Sequence, residues 1–283
     1  MIDETVDEIE EMQTHSSSVV AVKAARALRT LTEREFPSVD EYLRGLERNS
    51  NALRRANPSH ASLHTTQRDI VETVREGEPT DLETAWALTE EAVDEAIDQV
   101  ESAKREAADR CADLIADEGT LLTHDYSTTV LQAIETAVAD GATFDVYVTE
   151  ARPRFLGRRT TRRLAAMEGV DVTLIVDSAA GHYVGECDRV LVGMDCVVDG
   201  TLYNRVGTYP IAAAAADSGV PTTVVGSHSK LIEEGFAFEN AFRPSAEVMR
   251  EPAEGFEIEN PAYDATPVRL LDSVVTDQET RTY

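Results

Sequence analysis

Between Phe144 and Lys230 the chain alternates short β-branched runs with helix-length segments, and this rhythm limits the fold more than any other feature. Four apolar runs rich in Val and Ile recur there: Phe144–Val148, Val172–Val176, Arg189–Val192 and Thr222–Val225. Strands separated by a dozen or more residues of helical crossover lie parallel. The expectation is an α/β domain built on a parallel sheet. Helices are predicted at Thr128–Asp140, Arg158–Glu168 and Tyr209–Ser218, and a short strand at Thr120–Thr123. NPAYDATP (Asn260–Pro267) reads as a loop, and Val268–Val275 as a last helical turn or a short strand.

The first 118 residues follow a different period. Apolar residues recur at helical spacing over Val19–Leu31, Val39–Ala56, His60–Glu76 and Asp81–Asp117, with breaks at Pro37, Pro58 and Gly77–Pro79. Ser16–Ser18 and Thr80 or Asp81 are candidate caps. The division expected is a helical domain over 1–118 and a sheet domain over 119–283.

Composition narrows the partners. The formal net charge is −27, from 53 acids against 26 bases, and only Lys23, Lys104 and Lys230 among the bases are lysine. Such a field repels nucleic-acid phosphates, so direct nucleic-acid binding is not expected. It suits a solvated surface in concentrated salt, and we read the chain as halophilic. No apolar run approaches the ~20 residues that a membrane helix needs, and MIDETVDEIE has no signal-peptide pattern. Cys111, Cys187 and Cys196 lack paired spacing and read as buried thiols. The location expected is the reduced cytoplasm.

The residues that suggest chemistry lie at predicted strand ends, where open α/β sheets hold their ligands. Asp195 follows the Arg189–Val192 strand through Gly193, and is a candidate general base. Asn204-Arg205-Val206-Gly207-Thr208-Tyr209-Pro210 leads into a helix whose free N–H groups attract anions, with Arg205 and Asn204 as added donors. Arg152 and Arg158 flank the end of the Phe144–Val148 strand. Asp177 ends the next strand, and His124-Asp125 follows Thr120–Thr123. The chain has no GxGxxG, P-loop or GxSxG sequence, and no metal or cofactor is expected.

Five segments, in order, resemble one known superfamily: LLTHDYSTTV (Leu121–Val130), TEARPRFLGRRTTRRLA (Thr149–Ala165), VTLIVDSAA (Val172–Ala180), VLVGMDCVVDGTLYNRVGTYPIA (Val190–Ala212) and NPAYDATP. It comprises the alpha, beta and delta regulatory subunits of translation initiation factor 2B together with isomerases of methylthioribose 1-phosphate and ribose 1,5-bisphosphate. The resemblance implies a Rossmann-like C-terminal domain behind a helical N-terminal domain, and a homodimer or larger assembly. It implies a catalytic pair at Asp125 and Asp195 and a substrate contact at Asn204-Arg205, where the family carries Asn-Lys; Gly207 and Thr208 at the helix start, and Arg152 and Arg158 at the strand end, are candidate substrate contacts from their positions alone. Three positions depart from the isomerases. Asp125 stands where they carry a cysteine, Leu156 replaces a glutamine, and Thr14-His15-Ser16-Ser17-Ser18 is the segment nearest to an Arg-Gly-Ala anion grip that has no counterpart here.

Those departures favour a non-catalytic regulatory protein. On this reading the cleft senses a phosphosugar or nucleotide, and the surface engages translation initiation factor 2 subunits. The alternative is an aldose–ketose sugar-phosphate isomerase that uses Asp125 and Asp195.

Overall fold

The structure, a computed structural model, describes residues 2–11, 16–232, 238–251 and 254–283. The chain divides into two compact units, residues 1–103 and 104–283. The division falls inside one helix, α5.

The first unit is helical: α1 (Ile2–Glu10), α2 (Ser17–Arg29), α3 (Val39–Ala56), α4 (Ala61–Glu76) and the start of α5 (Leu82–Ile115). The ends follow from local chemistry. Ser38 caps α3 by accepting the Glu41 N–H at 3.3 Å, and Asp81 caps α5 by accepting the Thr84 N–H at 2.8 Å. Leu28, Leu46, Leu53, Leu63, Ile70 and Val93 make the core. The one buried phenol there, Tyr42, donates to the Thr89 hydroxyl at 2.7 Å, which answers the cost of burying it.

The second unit runs β1 (Thr120–Thr123), α6 (Thr128–Ala139), β2 (Phe144–Thr149), α7 (Gly157–Leu164), β3 (Val170–Ile175), α8 (Ala180–Tyr183) and β4 (Arg189–Gly193). It continues with β5 (Cys196–Val198), β6 (Thr201–Arg205), α9 (Thr208–Ser218), β7 (Thr222–Val225), β8 (Leu231–Ile232), β9 (Tyr263–Pro267), β10 (Ser273–Val275) and β11 (Thr280–Thr282). Seven strands form one sheet in the order β11-β10-β7-β4-β1-β2-β3, parallel except for β11 at the edge. Leu121 and Leu122 point to opposite faces, one into a core with α6, the other into a core with Ile211 and Ala215 of α9. Helices cover both faces, as a parallel sheet requires.

The chain leaves β1 toward β2 and β3 on one side, then returns to place β4 on the other. The switch point of the sheet therefore lies between β1 and β4, and the crevice beyond their carboxyl ends is where such folds hold ligands. Asp125 follows β1 and Asp195 follows β4.

Four elements differ from the sequence reading. β3 begins at Val170, two residues early, because it pairs with β2 from Phe144 onward. α7 stops at Leu164 rather than Glu168, since the Ala166 and Met167 N–H groups turn back three residues to Arg163 and Leu164. NPAYDATP is a loop only at its start. Tyr263–Pro267 is β9, which completes a second, four-stranded sheet, β8-β5-β6-β9. In place of one closing element, Val268–Val275 supplies a 3₁₀ turn followed by β10.

Gly157 fixes how α7 meets β2. A Cβ at this position would lie 1.8 Å from the Thr149 carbonyl oxygen. Gly157→Ala is expected to destabilise the protein by about 3 kcal/mol through forced separation of α7 and β2, read from urea unfolding. A midpoint equal to that of the parent would contradict this packing.

Candidate active site

The β5–β6 hairpin brings the site together. Asp199 and Gly200 both have positive φ, 47° and 71°, the conformation of a two-residue type I′ turn. The turn pairs Cys196 with Tyr203, and the Asp195 N–H donates to the Tyr203 carbonyl at 3.1 Å. The hairpin thus returns Arg205 toward the acid that precedes it. Gly193 lets the β1 loop approach, because any Cβ there would meet the Ser127 side chain at 2.6 Å.

Three charged groups converge on this point, and all are buried: Asp125 is 9% exposed, Asp195 8% and Arg205 8%. Arg205 Nε lies 3.3 Å from Asp125 Oδ2, and its guanidinium carbon lies 4.8 Å from the Tyr263 ring centre. Burial works against the guanidinium, but Tyr263, Asp195 and Asp125 outweigh it and hold its pKa above the ordinary arginine value. Burial also raises the Tyr263 phenol. At neutral pH that phenol is uncharged, and its ring lies against the guanidinium.

Behind Asp195 sits Lys230, which donates to the Met194 carbonyl at 2.8 Å. Burial lowers its pKa, opposed by Asp195 and Cys196. The cysteines supply no nucleophile: burial pushes Cys111 and Cys196 up to about 12 and Cys187 up to about 11.

A cleft of about 360 Å³, counted to its open mouth, opens on Asp125. Its wall carries Arg152, Arg154, Arg205 and Arg243 against Asp125 and Glu247, a local positive excess in a strongly acidic chain. Around this cleft the backbone takes the left-handed conformation at three non-glycine residues, Asp125 (φ 65°), Ala151 (φ 58°) and Phe155 (φ 58°). Such positions persist only where the surroundings hold them. Thr160 holds the first by donating to the Asp125 carbonyl at 2.6 Å. Asp177 holds the second, accepting the Ala151 and Arg152 N–H groups at 2.7 Å each.

The expected site residues separate on this geometry. Asp125, Arg152 and Arg205 line the cleft, while Asp195 stands beyond Arg205 and off the wall. Arg158 is a correction: it turns away to Glu150 at 2.8 Å and stacks 3.8 Å from the Phe155 ring centre. The start of α9 is a second correction. The Asp264 carboxylate accepts the Gly207 N–H at 2.7 Å and the Tyr209 N–H at 3.0 Å, so the chain caps its own helix where an anion was expected. Asn204 donates to Thr208 at 3.1 Å, and Thr208 to the Arg205 carbonyl at 2.7 Å. These two residues brace Arg205. Thr14 and His15, set against the anion grip, lie outside the described residues.

Sequence reasoning missed Arg154, Lys230, Arg243 and Asp264. Arg154 stood in ARPRFLG beside Arg152. Arg243 is brought in by a distant segment and had no local signal. Among the described residues no cluster of three or more His, Cys, Asp or Glu side chains is placed to hold a metal, and no helix is long and apolar enough to cross a membrane.

The chain is similar to known proteins along almost its whole length. It is 33% identical over 283 residues to a ribose 1,5-bisphosphate isomerase of Haloferax volcanii, covering 97% of this chain and 86% of that one. A ribose 1,5-bisphosphate isomerase of Haloterrigena turkmenica is 31% identical over 290 residues, covering 96% and 88%. Its fold matches the crystal structure of the Pyrococcus horikoshii translation initiation factor eIF-2B with a TM-score of 0.86 at 26% identity, over 99% of this chain and 96% of that one. The isomerase relatives overturn the expectation of a non-catalytic translation regulator, because the similarity to enzymes extends over both units and not over the sheet alone. Losing the thiol weighed too heavily in that expectation, since its replacement, Asp125, is itself an ionisable group. The model of the initiation factor 2 subunit family matches residues 13–279, and the chain belongs to this family.

Proposed function

We propose that the protein is an aldose–ketose isomerase of a pentose phosphate, of the ribose 1,5-bisphosphate type. The observation that carries this reading is identity above 30% to two ribose 1,5-bisphosphate isomerases along nearly the full chain. A buried carboxylate–guanidinium pair at the mouth of an arginine-lined cleft supports it.

The chemistry follows from the substrate. A sugar phosphorylated on C1 has no free aldehyde, so its ring opens only by breaking the bond from C1 to the ring oxygen. That oxygen needs a proton. A base then takes the proton from C2, leaving an enol phosphate, and return of that proton to C1 gives the ketose as the C2 hydroxyl gives its own proton to water, which balances the one taken up by the ring oxygen. Asp125, held 3.3 Å from Arg205 Nε, takes the C2 proton and returns it to C1. One carboxylate can do both, as in triosephosphate isomerase. Arg205 stabilises the negative charge that develops on the sugar oxygens. The ring oxygen takes its proton from water at the open mouth of the cleft, while Asp195, buried beyond Arg205, positions that guanidinium. The cationic wall with Arg152 receives phosphate. Self-association and a preference for high salt belong to the same reading.

The test is incubation with ribose 1,5-bisphosphate in molar KCl, followed by phosphorus NMR, with methylthioribose 1-phosphate as comparator. Conversion of the bisphosphate to its ketose is expected. A folded protein that leaves both sugars unchanged would refute the assignment.

A further inference from the structure

The segment between Glu150 and Glu168 holds six arginines and no acid, in a chain with twice as many acids as bases. Four of the six, Arg158, Arg159, Arg162 and Arg163, are exposed on the two turns of α7. Arg158 is paired with Glu150. Arg159 lies over the Tyr126 ring, 4.6 Å from its centre, and Arg162 donates to the Arg158 carbonyl at 3.3 Å. Among the described residues Arg159, Arg162 and Arg163 have no carboxylate partner.

This arrangement opposes folding twice. Like charges four residues apart, at 158/162 and 159/163, repel. Cations in the first turn of a helix also face the positive end of its dipole. A bound anion would reverse both effects.

Arg163 faces a recess of about 820 Å³, counted to its open mouth, and Arg159 lies over the ring of Tyr126 on its wall. Arg163 lines it together with Lys104 of α5, Tyr126, and Thr128 and Thr136 of α6; Glu135 is the one acid on the wall. No residue of this recess lines the Asp125 cleft.

We infer that the outer row of α7 and this recess form a second anion site, which takes a small ligand bearing two or more phosphates. Guanidinium forks match phosphate oxygens in pairs; the Thr136 hydroxyl is already given to Asp109 at 3.3 Å. The recess favours a small ligand over a flat partner. The net charge of −27 disfavours nucleic acid or the acidic surface of a second copy, both of which meet the field of the whole molecule. This site does not depend on the isomerase assignment.

The test is calorimetric titration of inorganic tripolyphosphate into the whole protein at fixed ionic strength, with ribose 5-phosphate, which carries a single phosphate, present to fill the cleft. The parent is expected to bind one tripolyphosphate per chain, and Arg159→Gln/Arg163→Gln and Lys104→Gln to weaken it about tenfold or more. Without ligand, the double arginine variant should melt no lower than the parent, because a repulsion has been removed. Weakened binding in that variant therefore cannot be ascribed to misfolding. Equal isotherms for parent and variants, or displacement of tripolyphosphate by rising ribose 5-phosphate, would overturn the site. So would a parent that binds no tripolyphosphate but loses mass by light scattering in the arginine variant, which would make a second copy the occupant.

Discussion

In Asp125→Asn, turnover of ribose 1,5-bisphosphate is expected to fall by about a thousandfold, with little change in KM. Asparagine keeps the shape of the side chain and an oxygen for Arg205, but it cannot accept a proton from carbon. General acid–base groups contribute roughly 10²–10⁴ in rate, and on this account a single carboxylate performs both transfers. The left-handed backbone at 125 is no obstacle, because asparagine tolerates it as aspartate does. Thr160 bonds the carbonyl of residue 125 and not its side chain, so the loop should keep its place. Steady-state kinetics at saturating substrate check the prediction. A variant within threefold of the parent would remove Asp125 from the chemistry.

The second large effect is on stability. Arg205→Leu should destabilise the protein by about 3–5 kcal/mol at pH 7, the cost of removing one partner from a buried ion pair. The guanidinium acts on both Asp125 and Asp195, and without it Asp125 loses its buried ion-pair partner while Asp195 keeps Lys230 behind it. The carboxyl pKa of Asp125 in the folded variant then rises above the unfolded value of about 3.9. A folded state that binds more protons than the unfolded one loses stability as pH rises from the unfolded pKa through the folded one. The deficit of the variant should therefore be largest at neutral pH and shrink toward pH 4. Urea midpoints at the two pH values measure it. A deficit that does not change with pH would mean that Arg205 acts through packing alone.

Much of this arrangement could be read from the chain. The strands β1, β2, β4 and β7 and the helices α3, α6 and α9 lie within two residues of their expected bounds, because apolar periodicity and the Gly and Pro breaks are local signals. Placing Asp125 and Asp195 at one crevice needed only the rule that ligands collect at carboxyl ends of strands. The second sheet was less legible, although Asp199-Gly200 between Val198 and Thr201 carries a hairpin signal. Tyr263–Pro267 was hidden because β9 includes a proline and pairs only with β6. The start of α9 misled for a plain reason. A free helix N-terminus attracts an anion, but sequence does not say whose, and Asp264 arrives from more than fifty residues away. Arg243 was invisible on the same grounds.

The relation between residue loss and activity was misjudged from sequence. A thiol near neutrality exchanges protons readily, and its replacement by aspartate looks disabling for an exposed side chain. Asp125 is instead buried, 3.3 Å from the Arg205 guanidinium, a placement that sequence does not reveal.

The most direct measurement is the approach to equilibrium from both sides. Ribose 1,5-bisphosphate and ribulose 1,5-bisphosphate are incubated separately with the protein in molar KCl, and the two sugars are followed by phosphorus NMR. The account predicts that both solutions reach one ratio of ketose to aldose, and that Asp125→Asn slows both approaches alike. Two starting sugars that persist unchanged beside folded protein would contradict it.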